Sequence, residues 1–219
     1  MDKKTAARIY SLLVKRYPGA RDSPGRPARG SPYRVLILTI LSAQTTDRAV
    51  LRVEKPLFAR YPTPAALARA RIADVEEIIH SLGFFHAKAR NIVAAARMIA
   101  SDLDGVVPDT MGGLLAIPGV GRKTANIVLY HAHGKNEGIA VDTHVRRLAQ
   151  RIGFSDTDDV AVIERDLMGL FPEKDWGDLT DVLIAHGRAI CTAKKPQCGI
   201  CPISSCCRYY LTLVRSGGN

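Results

Sequence analysis

The chain has 219 residues and a mass of 23.8 kDa, enough to bury a substantial core without covalent staples, as one large domain or two small ones. Its 31 Lys and Arg against 21 Asp and Glu leave a formal charge of +10 and a pI near 9.6, which favours a polyanionic partner such as nucleic acid over a neutral or acidic one. No apolar run reaches the ~18 residues that a membrane span needs, and the five cysteines all fall between 191 and 207, which suits metal ligation better than a disulfide framework and makes a cytoplasmic protein the expectation.

The first segment, "MDKKTAARIYSLLVKRYPG", reads as an amphipathic helix with Ile9, Leu12, Leu13 and Tyr17 on one side; it lacks the apolar core and small-residue cleavage site of a secretory signal. "GARDSPGRPARGSP" at 19–32 is rich in Pro, Gly and Arg and is expected to be a hinge or flexible loop. Apolar residues three and four apart then predict helices in "PYRVLILTILSA", "ALARARIADVEEIIHSLG" and "AKARNIVAAARMIASDL". "VLILTIL" at 35–41 could equally form a buried strand, but no partner strand is visible, so a wholly buried helix is expected. The same spacing continues through "KTANIVLYHAHG", "THVRRLAQRIGF" and "VAVIERDLMGLF". Gly83, Gly105, Gly134 and Gly153 stand where helices should stop, and Pro108 and Pro172 reinforce two of the stops. The expectation is an all-α protein.

Between two of these helical patterns lies "LLAIPGVGRKTANIVLYH" at 114–131. Pro118 fixes one backbone angle, while Gly119 and Gly121 permit positive φ and close approach of the main chain to a ligand. The first amides of the following helix lack internal acceptors, and the dipole is positive there, so a phosphate can dock without contacting a base. Gly119, Val120, Gly121 and Arg122 are the candidate backbone contacts; an ordinary helix–turn–helix connection with a glycine cap is the plainer alternative. A cation in the first turn is opposed by the dipole, so Lys123 stands where an acid would be normal. At a reference pKa of ~10.4 about one lysine in 2,500 is neutral at pH 7, but the helix start, neighbouring Arg122 and partial burial all favour the neutral amine a nucleophile needs. Lys123 is therefore a candidate Schiff-base former, with a solvated or phosphate-binding lysine as the alternative.

Asp142 directly precedes a helical pattern that closes at Gly153, a good N-cap worth about 1 kcal/mol. A cap also fixes a carboxylate on a rigid element, where it can oppose positive charge developing on a bound sugar or move a proton. His144 could contact phosphate or simply pack. Farther on, Cys191, Cys198, Cys201 and Cys207 are separated by six, two and five residues. Four thiolates suit either a 4Fe–4S cluster or tetrahedral zinc, and spacing alone leaves Cys206 open as the fourth ligand. Lys194 and Lys195 lie between the first two cysteines, where a metal-clamped loop could present them to phosphate; otherwise they are an exposed charged loop.

With hairpin, lysine, aspartate and cysteines in this order, the chain resembles the endonuclease III family of helix-hairpin-helix DNA glycosylases. "LSAQTTD" at 41–47, "IPGVGRKTANIVL" at 117–129, "VDTH" at 141–144, "LIAHGRAIC" at 183–191 and the cysteine spacing carry the resemblance. It implies an all-α fold in which a six-helix domain, residues 25–135, and a terminal domain, residues 1–24 with 136–219, flank a cleft. It also implies a 4Fe–4S cluster over iron-free zinc, with Cys207 as fourth ligand. By resemblance Lys123 attacks the sugar C1′ of a damaged nucleotide, Asp142 assists, and Gln44 enters the duplex to fill the space of the extruded base. The implied activity is that of a bifunctional glycosylase and abasic-site lyase acting on oxidised pyrimidines in double-stranded DNA, as a monomer, in the cytoplasm or at a prokaryotic nucleoid. A monofunctional uracil or mismatch glycosylase of the same fold, and a non-catalytic zinc-stabilised DNA-binding module, are the alternatives. The linker "YHAHGKNEG" at 130–138 is more basic and histidine-rich than the family pattern, leaving His131 and His133 as either substrate contacts or surface residues.

Overall fold

The computed structural model describes residues 1–20 and 31–215. The predicted hinge at 19–32 lies mostly outside the described residues. Among these residues the regular structure is entirely helical: twelve α-helices, with short 3₁₀ helices at Glu173–Asp175, Cys198–Ile200 and Ser204–Cys206. The chain divides into two compact units: Pro24–Lys135 is one, and Met1–Ser23 with Asn136–Asn219 is the other.

The continuous unit contains α2 (Pro32–Leu41), α3 (Asp47–Arg60), α4 (Pro64–Ala68), α5 (Ile72–Ile79), α6 (Phe85–Asp102), α7 (Met111–Leu115) and α8 (Arg122–His133). The ambiguous "VLILTIL" is helical: α2 buries Val35, Leu36, Ile37, Ile40 and Leu41, with only Arg34 of its helical residues fully exposed. Together with Ile92 of α6 and Val128 of α8 it forms the centre of the core. The sequence pattern over 66–83 predicts one helix, but the structure breaks it at 69–71. In an unbroken helix Arg71 would fall on the stripe of Leu67 and Val75; the break lets both leucine and valine be buried while Arg71 stays exposed. A second departure follows: α5 ends at Ile79, four residues before the expected stop at Gly83. Helix α3 was hidden by Pro56 in its interior. The ring sits on the exposed side, where water can serve the carbonyl that the missing N–H leaves without a donor.

The discontinuous unit contains α1 (Lys3–Arg16), α9 (Thr143–Ile152), α10 (Val160–Leu170), α11 (Trp176–Ala189) and α12 (Arg208–Arg215). Helix α1 is capped by Asp2, whose carboxylate accepts from Thr5 N at 2.9 Å, and it buries Ala6, Ile9 and Leu13 in a core shared with α9, α10 and α11. Helix α11 buries residues on nearly all faces, so it carries no helical stripe to read. Its Gly187 lets α9 come close: a Cβ there would stand 3.0 Å from Arg147 Nη2 and 3.2 Å from His144 Cβ.

Candidate active site and nucleic-acid interface

In the continuous unit, Thr110 caps α7 and the chain turns through Pro118–Gly121 into α8. Gly119 has φ +81°, and a Cβ on it would lie 2.9 Å from Asn91 Cβ, so conformation and space both demand glycine. Gly121 is the N-cap of α8 and offers no side-chain cap; a Cβ there would point into open space. Val120 differs from its neighbours. Its side chain is buried in the core and its N–H donates to Ile117 O at 3.1 Å, so it closes the turn and has no amide to offer a phosphate. Arg122 is exposed, and Lys123, second residue of α8, is half-buried.

A substitution follows from this packing. Gly119→Ala should destabilise the protein by about 2–4 kcal/mol, combining the cost of a side chain at positive φ with overpacking against Asn91; an unchanged denaturant midpoint would refute the argument.

Elsewhere in the same unit, Gln44 ends the turn after α2 with φ +50° and an exposed side chain. Phe84, the N-cap of α6, has φ +58° and is 68% exposed. The two turns adjoin, since a Cβ on Gly83 would lie 3.9 Å from Gln44 O. Positive φ is uncommon in residues other than glycine and gathers at ligand-binding sites. Gly83 marks the turn in the sequence but Phe84 does not stand out, because an exposed phenylalanine and a buried one look alike in an apolar pattern. Nor does the pattern mark Lys88, which is buried in the first turns of α6.

In the discontinuous unit Asp142 is the N-cap of α9. Its Oδ1 accepts from His144 N and Val145 N, both at 2.8 Å, and Oδ2 lies 3.1 Å from His144 Nδ1. The carboxylate is thus fixed by three contacts, with its side chain 19% exposed. His144 is held by Asp142 and packs on Gly187, so at least one ring nitrogen is engaged within the unit.

Beyond α11 the chain wraps a small cavity of about 20 Å³ lined by Cys191, Cys198, Cys201 and Cys207, with Ile152, Ile190 and Ile203 among its apolar walls. Cys206 does not line it; its sulfur lies 3.7 Å from Ser205 Oγ. Burial pushes the Cys201 thiol up to about 11 and raises Cys198 and Cys207 as well, with Cys191 adding to each shift. Opposing this, the Ile203 amide acts on the Cys201 sulfur, and those of Tyr209 and Tyr210 act on Cys207. Arg151 Nη1 lies 3.5 Å from Cys191 Sγ. Such donors favour thiolate, and a metal that displaces the protons would supply the rest. Among the described residues no three His, Cys, Asp or Glu converge on one point; the four thiols line one small cavity, and four thiolate donors are the chemistry of a zinc or an iron–sulfur site.

The cavity is braced from α9. Arg147 donates to Gly187 O and Cys191 O at 3.0 and 3.1 Å, and Arg151 donates to Thr192 O at 2.8 Å and Ala193 O at 2.7 Å while lying 5.0 Å from the Tyr209 ring centroid. His186 Nε2 is 3.5 Å from Cys201 Sγ, and its Nδ1 is 3.0 Å from the Tyr17 hydroxyl. Burial and the Arg16 charge push His186 down to about 4, so the ring is neutral at pH 7. Lys194 and Lys195 are exposed on the braced loop.

Residues 37–173 match the family described as HhH-GPD superfamily base excision DNA repair protein. The chain is 49% identical over 205 residues to "Endonuclease III" of Synechocystis sp., covering 94% of this chain and 92% of that protein. It is 40% identical over 179 residues to "Endonuclease III" of Escherichia coli, covering 82% and 84%. Among solved structures it is similar to a trapped endonuclease III–DNA covalent intermediate, with TM-score 0.90 and 36% identity over 98% of this chain and all of that one. A thermostable thymine-DNA glycosylase gives 0.86 and 26% over 95% and 98%. No described helix is long and apolar enough to cross a membrane.

Proposed function

We propose, from the premise that the chain belongs to the endonuclease III family of HhH-GPD base excision DNA repair proteins, that it removes oxidised pyrimidines from duplex DNA and cleaves the resulting abasic site through a lysine Schiff base. It is a bifunctional DNA glycosylase and abasic-site lyase. The observation that carries the assignment of chemistry is Lys123, a half-buried lysine at the second residue of α8, directly behind the glycine hairpin. The amides of Gly119 and Gly121 have no acceptor among the described residues, which supports a backbone-reading grip on phosphate.

The damaged nucleotide leaves the stack at a cost of a few kcal/mol, lower for a poorly stacked lesion. Gln44 and Phe84, exposed on adjoining turns, supply an amide and a ring to occupy the gap; insertion between bases explains why a phenylalanine is left in solvent. Neutral Lys123 forms a bond to C1′ as the glycosidic C–N bond breaks, the electron pair leaving with the base. Asp142 opposes the positive charge that develops on the sugar. Loss of the amine proton and ring opening give the iminium, which acidifies a C2′ proton; its removal expels the 3′ phosphate and cuts the strand. Cys191, Cys198, Cys201 and Cys207 would hold a 4Fe–4S cluster, which when bound braces the loop that aims Lys194 and Lys195 at DNA phosphate. The site of action is DNA in the cytoplasm or nucleoid.

The test is borohydride trapping: a duplex with thymine glycol or an abasic site should become covalently joined to the protein. A yield of released base with no trapped adduct and no strand cleavage would instead mark a monofunctional glycosylase. Asp142 can be examined without disturbing its cap. Asn caps as well as Asp, so Asp142→Asn should shift stability by only a few tenths of a kcal/mol while slowing base release on the order of a hundredfold. Equal loss of stability and rate would reduce Asp142 to a structural cap.

A further inference from the structure

Lys88 is 5% exposed and sits in the first turns of α6, its N–H bonded to Phe84 O at 3.0 Å. Both placements are unfavourable. The helix dipole opposes a cation there, and burial strips its water, which holds the amine below the usual lysine range. The Lys88 side chain forms no ion pair among the described residues; its hydrogen bond there runs from Nζ to Thr45 Oγ1.

That hydroxyl is already committed on its other side, for Thr45 Oγ1 donates to Ala43 O at 3.2 Å. A hydroxyl has one proton. With it spent on Ala43, the oxygen offers only lone pairs, and an ammonium, which donates and never accepts, is the matching partner. The chain of bonds from Lys88 through Thr45 to Ala43 therefore brackets Gln44, whose φ of +50° is a conformation the surroundings must maintain. Thr45 N also closes onto Ser42 O at 3.1 Å. At its other end the strut is rooted in the core, because Ala89, Ile92 and Val93 beside Lys88 are buried. Phe84 is the N-cap of the same helix, so α6 fixes both exposed side chains from one rigid element.

We infer that Lys88 is a positioning residue: through the Thr45 hydroxyl it holds the Gln44 turn in the shape that enters the duplex, and so governs nucleotide extrusion rather than bond chemistry. The inference rests on the glycosylase–lyase reading, and the test separates the two.

Lys88→Met keeps the length of the stem and removes a buried charge, so it folds; thermal melting checks this. Single-turnover release of thymine glycol should slow roughly tenfold, the scale of one charge-assisted hydrogen bond. A fluorescent base analogue next to the lesion should report slower extrusion to the same degree. Cleavage and borohydride trapping of a duplex that already contains an abasic site should stay within about twofold of the parent, since no base needs to leave the stack. Thr45→Val should reproduce the defect and Thr45→Ser should not, and the double variant K88M/T45V should be no slower than either single one. Parent-like base release by K88M, or defects that multiply in the double variant, would overturn the inference. So would loss of abasic-site trapping in K88M, which would make Lys88 part of the chemistry. Failure of the parent protein to cleave or trap the abasic duplex would instead sink the functional reading itself, whatever the variants do.

Discussion

Lys123→Gln should form no borohydride-stable adduct and should release damaged bases more slowly by on the order of 10⁴-fold or more, because no other step in the mechanism replaces an absent nucleophile. Glutamine preserves most of the side-chain length and a polar end for the half-buried site. It also removes a cation from the first turn of α8, where the dipole opposes one, so the variant should melt no earlier than the parent. Arg122 stays exposed and Gly121 keeps its bare cap, so the grip on phosphate survives. The expected result is thus a folded protein that binds a lesion-containing duplex with near-parent affinity in a gel-shift or anisotropy titration and does nothing to it. Persistent trapping would move the nucleophile to another amine. A drop in binding equal to the drop in rate would make Lys123 a phosphate contact.

A second large effect is expected from the cysteines, and it discriminates between adjacent residues. Cys207 lines the cavity with Cys191, Cys198 and Cys201, while Cys206 lies outside it. Cys207→Ser should yield a protein without the yellow-brown colour of an iron–sulfur cluster, with iron and sulfide lost together, and with a melting temperature lower by about 10 °C or more as a buried centre of the discontinuous unit comes undone. Cys206→Ser should retain colour, iron content and melting temperature. Binding of undamaged DNA should weaken in the first variant through loss of the ordered Lys194–Lys195 loop, and the salt dependence of binding should flatten by roughly two phosphate contacts. Retention of iron by Cys207→Ser with loss in Cys206→Ser would reverse the ligand assignment.

Local chemistry made much of this legible beforehand. The helical spacing, the glycine hairpin, the Asp142 cap and the cysteine cluster each depend on residues close together in the chain, and each corresponds to a local structure described above. Elements whose form is decided by distant partners were hidden. The break between α4 and α5 exists because Arg71 must escape a core assembled from other helices, and α3 tolerates Pro56 because tertiary packing fixes which side meets water. Val120 sits inside a motif of backbone contacts yet points into the core, an orientation set by the turn rather than by residue type. Lys88 illustrates the limit most clearly. Its ammonium takes meaning only from Thr45, 43 positions away, and nothing in a periodic apolar pattern separates a lysine that bears on a neighbouring turn from one that waves in solvent.

The interrupted unit, with its first helix separated from the rest by the whole of the other unit, bears on how the chain is made. On the ribosome, residues 24–135 can close around their own core while α1 still lacks every surface it will cover. Ala6, Ile9 and Leu13 stay wet until α9, α10 and α11 have emerged, so α1 waits for helices made after the whole of the other unit. The cysteine-lined cavity, which meets Tyr17 of that returning segment through His186, therefore closes only once α11 has emerged and the first helix has returned to it.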